Sequence, residues 1–222
     1  PRRVGEDGWE LSIKALIDNA DCSHKARFTL IDADGNEKAS TIADLRPIIS
    51  AKLPVEDPVL WNGRKNPYLY TVRCEIFDST TEEVTDNIDI RTGLREYHID
   101  SHKGFFLNGE HIKLQGVSRH QDRENMGNAI TEKQHAEDVK IILDVGANSV
   151  RLAHYQQNSY FYDLCDESGL LVWAEVPVIS RFSPKRNENA EQQLVELIKQ
   201  NYNHPSIFCW GIENEITIAG SA

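Results

Sequence analysis

The spacing of apolar residues changes near residue 100, and this change constrains the fold more than any other feature of the sequence. Before it, apolar and polar residues alternate, as in Trp9–Ala15 and Tyr68–Ile76. A period of two is typical of strands with one buried face. The Asp34-Gly35 step after another strand-like run favours a hairpin turn. Short strands separated by turns, without a helical stretch, predict an all-β antiparallel sandwich over residues 1–100, which is the size of an immunoglobulin-like domain.

After residue 100, strand-like runs alternate with helix-like runs. In the run from Thr131 to Val145, apolar residues recur at intervals of three and four, Thr131 is a suitable N-cap, and Gly146 ends the helix. The predicted order is strand 111–117, helix 131–145, strand 147–152, helix 159–167, strand 170–174, helix 189–201 and strand 206–212. This (βα)₃β pattern predicts a second domain over residues 101–222, either a doubly wound sheet or the N-terminal half of a TIM (β/α)₈ barrel.

Charge and composition exclude several functions. The 222 residues carry 24 Lys and Arg against 35 Asp and Glu, and this net charge of −11 argues against nucleic acid as a partner, which requires clustered cations. No apolar run approaches the roughly 18 residues of a membrane-spanning helix, so we expect no membrane partner. The four cysteines form no CxxC pair, which indicates neither a zinc ribbon nor a disulfide scaffold. No Gly-x-Gly-x-x-Gly follows a strand, and we expect no cofactor.

Polar side chains gather where the predicted strands of the second domain end. They are Arg119, His120, Arg151, His154, Glu175, Asn214 and Glu215. Barrel enzymes build their sites at the carboxyl ends of successive parallel strands, so this placement favours the barrel. Glu215 follows an apolar strand that contains Trp210. Partial desolvation by Trp210 would favour a protonated carboxyl group that can donate to a leaving oxygen.

Several motifs carry a resemblance to a known family. They are FLNGE (106–110), LQGVSRH (114–120), NSVRLAHY (148–155), DESG (166–169) and NHPSIFCWGIENE (203–215). In order and spacing they are similar to the catalytic domain of glycoside hydrolase family 2, which includes β-galactosidases, β-glucuronidases and β-mannosidases. Residues 1–100 then resemble the immunoglobulin-like domain that precedes the barrel in this family. The resemblance covers nearly the whole chain.

The resemblance implies a role for each candidate site residue. Glu215 would be the general acid that protonates the glycosidic oxygen and then the base that activates water, and Asn214 would hydrogen-bond the sugar 2-hydroxyl. Arg151 would keep the catalytic nucleophile ionised. His120 and His154 would contact sugar hydroxyls or brace the site. The implied activity is that of a retaining exo-glycosidase with a carbohydrate substrate.

Two features depart from the family pattern. Some bacterial β-galactosidases of the family have a magnesium-binding Glu-x-His pair, but Ile179 and Arg181 stand at these positions, so we expect no metal there. The nucleophilic carboxylate of the family lies on a later strand, whereas this sequence stops at Ala222, soon after its fourth strand. We therefore expect a fragment that is inactive alone and that self-associates through its open sheet edges as a homo-oligomer.

The substrate class stays open among the activities of the family. The stretch RHQDRE (119–124) resembles the β-galactosidase branch, so we expect a β-galactoside. β-Glucuronidase and β-mannosidase are the alternatives within the family. A non-catalytic carbohydrate-binding module is the alternative outside it. The polar cluster at the strand ends counts against that module, because binding alone needs no proton donor.

Overall fold

The computed structural model describes residues 1–5, 8–180 and 187–216, and the chain divides into two compact units. The first unit comprises residues 1–61, 68–98 and 106–110, and the second comprises residues 62–67, 99–105 and 111–222. Each unit is made of separate stretches of the chain that pack together. The division into domains 1–100 and 101–222 remains a prediction.

The first unit is built from two antiparallel sheets. Its strands are β1 (Arg2–Val4), β2 (Gly8–Leu16), β3 (His24–Ile31), β4 (Glu37–Asp44), β5 (Ile48–Glu56), β6 (Tyr70–Asp78) and β7 (Val84–Thr92). One sheet has the order β1-β2-β5 and the other has the order β4-β3-β6-β7. Apolar side chains from both sheets, among them Trp9, Phe28 and Leu53, share one core. The expected β-sandwich is confirmed.

Alternation of residue types explains how these strands bury one face. Along β5 every second residue is buried, including Ile49, Leu53 and Val55, and the residues between them are exposed. Each fully buried side chain of this size contributes roughly 1.5–3 kcal/mol to stability. The β3–β4 hairpin is stabilised by Asp32, whose Oδ1 accepts the N–H of Asn36 at 2.8 Å. This backbone hydrogen bond lowers the pKa of the Asp32 carboxyl group.

Farther along the chain, a small three-stranded sheet has the order β10-β9-β8. Its strands are β8 (Tyr97–Asp100), β9 (Gly104–Leu107) and β10 (Glu110–Ile112). The single strand predicted over residues 111–117 is wrong, because β10 ends at Ile112 and β11 begins only at Gly116. At this break the Asn148 side chain accepts the N–H of Gln115 (2.8 Å) and donates to the carbonyl of Lys113 (2.9 Å). A side chain more than thirty residues away therefore satisfies the backbone there.

The second unit contains a parallel sheet with helices in its connections. Its elements are β11 (Gly116–Arg119), α1 (Glu132–Asp144), β12 (Ser149–Leu152), α2 (Ser159–Ser168), β13 (Leu171–Glu175), α3 (Asn187–Asn201) and β14 (Ile207–Gly211). The strand order is β11-β12-β13-β14, and every neighbouring pair is parallel. The predicted (βα)₃β half of a barrel is confirmed. Among the described residues, no helix is long and apolar enough to cross a membrane.

One face of the parallel sheet packs against the helices. Val150, Phe161, Val172 and Leu197 belong to the core formed there. A continuously apolar strand such as β13 is typical of a parallel sheet covered on both faces, but Trp173 is 40% exposed. Trp173 lines an open cavity of about 250 Å³ together with residues that include Arg151 and Phe208.

Two glycines that end helices allow a matched test of packing in the second unit. Gly146 and Gly169 both have positive φ angles, 82° and 72°. A Cβ atom on Gly146 would have nothing within 4 Å, whereas a Cβ on Gly169 would lie 2.3 Å from the carbonyl carbon and oxygen of Gly63. We expect Gly146→Ala to lower the free energy of unfolding by about 1–2 kcal/mol, which is the cost of the backbone conformation alone. Gly169→Ala should cost at least about 2 kcal/mol more, because the backbone around Gly63 must move. Urea unfolding of the two variants measures the difference, and equal losses would contradict the predicted close approach.

Candidate active site

Five polar residues lie where the strands of the parallel sheet end. Arg119 and Glu175 are the last residues of β11 and β13, and Arg151 lies one residue before the end of β12. His154 and Asn214 follow the ends of β12 and β14 by two and three residues. Because the strands are parallel, their carboxyl ends share one edge of the sheet. Residues that are far apart in the sequence therefore meet at this edge.

Glu175 is the buried centre of this group. Its carboxylate is 1% exposed and accepts hydrogen bonds from Arg151, from Nε to Oε1 at 2.5 Å and from Nη2 to Oε2 at 3.1 Å. Two hydrogen bonds between a guanidinium and a carboxylate fix the orientation of both groups. Burying a carboxylate without such a partner is costly. Glu175 therefore sets the position of the Arg151 guanidinium.

Arg151 in turn orients the Asn214 side chain. Its Nη2 donates to Asn214 Oδ1 at 2.7 Å, and because a guanidinium can only donate, the oxygen of the amide must face Arg151. The backbone holds Asn214 as well: its N–H donates to the carbonyl of Val178 (2.8 Å), and its carbonyl accepts the N–H of Ser180 (2.9 Å). The NH₂ group of Asn214 is thereby directed away from Arg151.

His154 and His120 lie beside each other at the same edge. His154 follows a cis peptide bond, and its Nδ1 is 3.1 Å from Arg151 Nη2 and 3.2 Å from Glu175 Oε2. The rings of His120 and His154 pack edge to face with their centroids 5.2 Å apart. The Tyr155 ring lies 6.0 Å from that of His120. The three rings form one cluster of aromatic groups next to the ion pair.

Glu215 directly follows the fixed Asn214. It lies in a bend four residues beyond the end of β14, and its φ angle is 55°. Glu215 is exposed, and the partial desolvation by Trp210 expected from the sequence stays a prediction. Its carboxylate forms neither a hydrogen bond nor an ion pair with any described residue. This carboxylate is free to meet a ligand from solvent.

The positions considered for magnesium offer a weak donor set. Ile179 is 41% exposed, has no ligand atom and forms a β-bridge with Asn214. Arg181 lies outside the described residues.

A second group of possible metal ligands, Asp163, Asp166 and His204, lies apart from this site. The Asp166 carboxylate already accepts hydrogen bonds from the Ser206 N–H (3.1 Å) and from His204 Nδ1 (2.6 Å). The absence of a metal stays a prediction.

The cysteines are poor candidates for a nucleophile. All four are free thiols. Burial raises the pKa of Cys209, which lies in β14, and of the fully buried Cys165. A raised pKa disfavours the reactive thiolate. Cys209 therefore behaves as an apolar strand residue.

Both parts of the chain match models of one family. Residues 99–221 match the model described as glycosyl hydrolases family 2, TIM barrel domain, and residues 3–95 match the model described as glycosyl hydrolases family 2. The chain belongs to glycosyl hydrolase family 2. The resemblance stated from the motifs is confirmed.

Individual members of family 2 are similar over most of the chain. A β-glucuronidase from Bacteroides fragilis is 44% identical over 76% of this chain, and a β-galactosidase from Thermoanaerobacter pseudethanolicus is 32% identical over 91% of it. Among solved structures, an FMN-binding β-glucuronidase from Faecalibacterium prausnitzii superposes with a TM-score of 0.92 at 41% identity, covering 99% of this chain and 34% of that one. The chain spans 25% and 28% of the lengths of the two curated relatives.

The structure brings most of the predicted family 2 site residues together. Arg151, His154 and Asn214 share hydrogen-bonding contacts around one ion pair, and His120 packs against His154. The catalytic and binding roles of these residues stay predictions. Sequence reasoning placed Glu175 at a strand end but gave it no role. The signal for it was an acidic residue at the end of a continuously apolar strand.

The ion pair between Arg151 and Glu175 predicts a measurable cost of substitution. In Glu175→Gln, one carboxylate oxygen becomes an NH₂ group that faces the guanidinium, and we expect a loss of about 2 kcal/mol in the free energy of unfolding. Glu213→Gln is the matched control, because Glu213 is an exposed neighbour of Asn214 and should change stability by less than about 0.5 kcal/mol. Urea unfolding measures both values. Equal stability of the two variants would show that the ion pair is not needed.

Proposed function

We propose that the protein containing this chain is a retaining exo-acting β-glycosidase and that this chain supplies the acid/base side of its active site. The observation that carries the proposal is Asn214, held in one orientation by the Arg151–Glu175 ion pair and followed directly by the exposed carboxyl group of Glu215. Membership of family 2 supports the same reading. A binding module would not need a fixed amide beside a proton donor.

The geometry supports a separate catalytic or binding role for each site residue. Glu215 donates a proton to the glycosidic oxygen as the bond to the leaving group breaks, and in the second step it accepts a proton from the attacking water. The NH₂ group of Asn214 donates to the sugar 2-hydroxyl, a contact that strengthens in the oxocarbenium-like transition state. His120 and His154 contact sugar hydroxyls from the adjacent ring cluster.

A second carboxylate must act as the nucleophile in a retaining mechanism, about 5–5.5 Å from the acid. Glu175 does not suit this role, because its carboxylate is 1% exposed and both of its oxygens accept hydrogen bonds from Arg151. None of the described carboxylates is assigned to it. We expect the 222 residues alone to be inactive toward glycosides.

Two substrates are supported to different degrees. We place β-glucuronides first, because the relative with 44% identity and the solved structure with 41% identity are both named β-glucuronidases. β-Galactosides come second, because the relative with 32% identity is named a β-galactosidase and because residues 119–124 resemble the β-galactosidase branch of the family. The β-galactosidase activity expected from the sequence is thus one of two candidates.

The acid/base role of Glu215 predicts a dependence on the leaving group. In the full-length protein, Glu215→Gln should lower kcat/KM about 10²–10⁴-fold for methyl or alkyl β-glycosides, whose leaving oxygen needs a proton. The loss should be much smaller for a 2,4-dinitrophenyl glycoside, whose aglycone leaves as an anion. Glu213→Gln is the control and should retain wild-type rates. Full activity of Glu215→Gln on the alkyl glycosides would remove Glu215 from the mechanism.

The substrate assignment predicts a ranking. Hydrolysis of nitrophenyl β-D-glucuronide, β-D-galactoside and β-D-mannoside by the full-length protein should give the highest kcat/KM for the glucuronide. A higher value for the galactoside would make β-galactosides the preferred substrate in place of β-glucuronides, and it would not affect the role of Glu215. Hydrolysis of none of the three would overturn the proposed activity.

A further inference from the structure

Arg119 lies at the same edge of the sheet but is held by side chains that have not been described so far. Arg119, the last residue of β11, is 6% exposed. Asp138 of α1 accepts hydrogen bonds at Oδ2 from Arg119 Nε (3.0 Å) and Nη2 (2.7 Å). Nη1 donates to the Gln157 side chain, and the guanidinium lies 3.9 Å from the centre of the Phe161 ring. The proposed mechanism uses none of these residues.

The Asp138 carboxylate joins the buried Arg119 to the partly buried Arg123. Its Oδ1 accepts a hydrogen bond from Arg123 Nη2 at 2.6 Å, and Arg123 Nη1 donates to Glu137 at 2.6 Å. Two carboxylates therefore balance two guanidinium groups. One aspartate on α1 thus holds residues 119 and 123 at the same time.

His135 adds no charge to the cluster. It is 1% exposed, and its Nδ1 lies 3.0 Å from Arg119 Nη2. Because the guanidinium donates, Nδ1 must accept, and the ring proton is on Nε2. Burial and the Arg119 charge lower the pKa of His135, which keeps the ring neutral at pH 7. The cluster is balanced only while Asp138 carries its negative charge.

The segment between the two arginines contains His120. The turn that follows is closed by hydrogen bonds between Arg123 and Gly127 in both directions, at 3.2 and 2.9 Å. The N–H of Gln121 donates to the hydroxyl oxygen of Tyr155 at 3.0 Å. His120 itself is exposed, and its ring contacts those of His154 and Tyr155. The place of its imidazole therefore depends on these ring contacts and on the segment 119–123, which Asp138 holds at Arg119 and Arg123.

We propose that Asp138 is a positioning residue that holds His120 at the sugar-binding edge by anchoring both ends of the segment 119–123. The inference rests on the proposed function, in which His120 contacts a sugar hydroxyl. Asp138 touches no substrate and acts only through His120. Replacing it with an amide would leave two guanidinium groups facing one acceptor oxygen and an NH₂ group, so the anchoring would weaken.

The test is a double-mutant cycle in the full-length protein. With whichever nitrophenyl glycoside the wild type cleaves best, Asp138→Asn should lower kcat/KM about tenfold, mainly by raising KM. In a His120→Ala background, the same substitution should change kcat/KM by less than about twofold, because the contact it positions is already absent. Equal losses in the two backgrounds would show that Asp138 does not act through His120.

Two further variants separate positioning from general stability. Asp144→Asn is the matched control: it lies on the same helix, and its carboxylate pairs with Lys140 at 2.5 Å on the surface, so kinetics should not change. Arg123→Gln keeps the buried Arg119–Asp138 pair and removes only the second anchor. We expect it to raise KM about threefold. It replaces Asp138→Asn as the test of anchoring if Asp138→Asn does not fold. An unchanged KM in Arg123→Gln would contradict the second anchor.

Amide hydrogen exchange tests the anchoring without reference to activity. Exchange across residues 119–127 should quicken about tenfold in Asp138→Asn and stay unchanged in Asp144→Asn. Unchanged exchange in both variants would overturn the inference, even in an active enzyme. If the wild type cleaves no glycoside, the proposed function fails, and with it the role of His120, whatever the exchange data show about the anchoring.

Discussion

The ion pair between Arg151 and Glu175 is the contact on which the candidate site depends. Glu175 is buried at the end of β13, and Arg151 reaches it from the neighbouring strand β12 with two hydrogen bonds. A guanidinium has five N–H donors in one plane, so it can serve several acceptors at once. Arg151 uses this capacity to contact His154 and to fix the amide of Asn214. One charge pair therefore joins the ends of three strands and determines the direction of the Asn214 NH₂ group.

Arg119 and Arg151 both lie near the carboxyl ends of the strands, but the pleat of the sheet places them on opposite faces. In the β11–β12 register, Arg119 lies opposite Leu152, and Ser118 lies opposite Arg151. Because side chains of successive strand residues point to opposite faces, Arg119 and Arg151 project on opposite sides of the sheet. Arg119 accordingly contacts Asp138 and Phe161 of the helices, whereas Arg151 contacts residues at the strand ends. The same residue type thus anchors helix α1 on one side and orients polar site residues on the other.

Local signals in the sequence predicted local structure well. Asp34-Gly35 marked the β3–β4 hairpin, and Gly146 marked the end of α1, because a turn or a helix end depends on residues close together in the chain. The predictions that failed depended on distant partners. Residues 113–115 leave the strand because Asn148 binds their backbone, and Trp173 is 40% exposed because it faces an open cavity.

The sequence by itself determined the spacing of apolar residues in each half of the chain, the family, and the set of polar residues that end the parallel strands. Tertiary structure alone decided which of them touch. Arg151 meets Glu175 across 24 positions and Asn214 across 63, and Arg119 meets Asp138 across 19. Residue type and spacing do not specify such contacts, because they arise only when strand register and helix packing align side chains to within hydrogen-bonding distance. For this reason Glu175 and Asp138 gained their proposed roles from the fold and not from a motif.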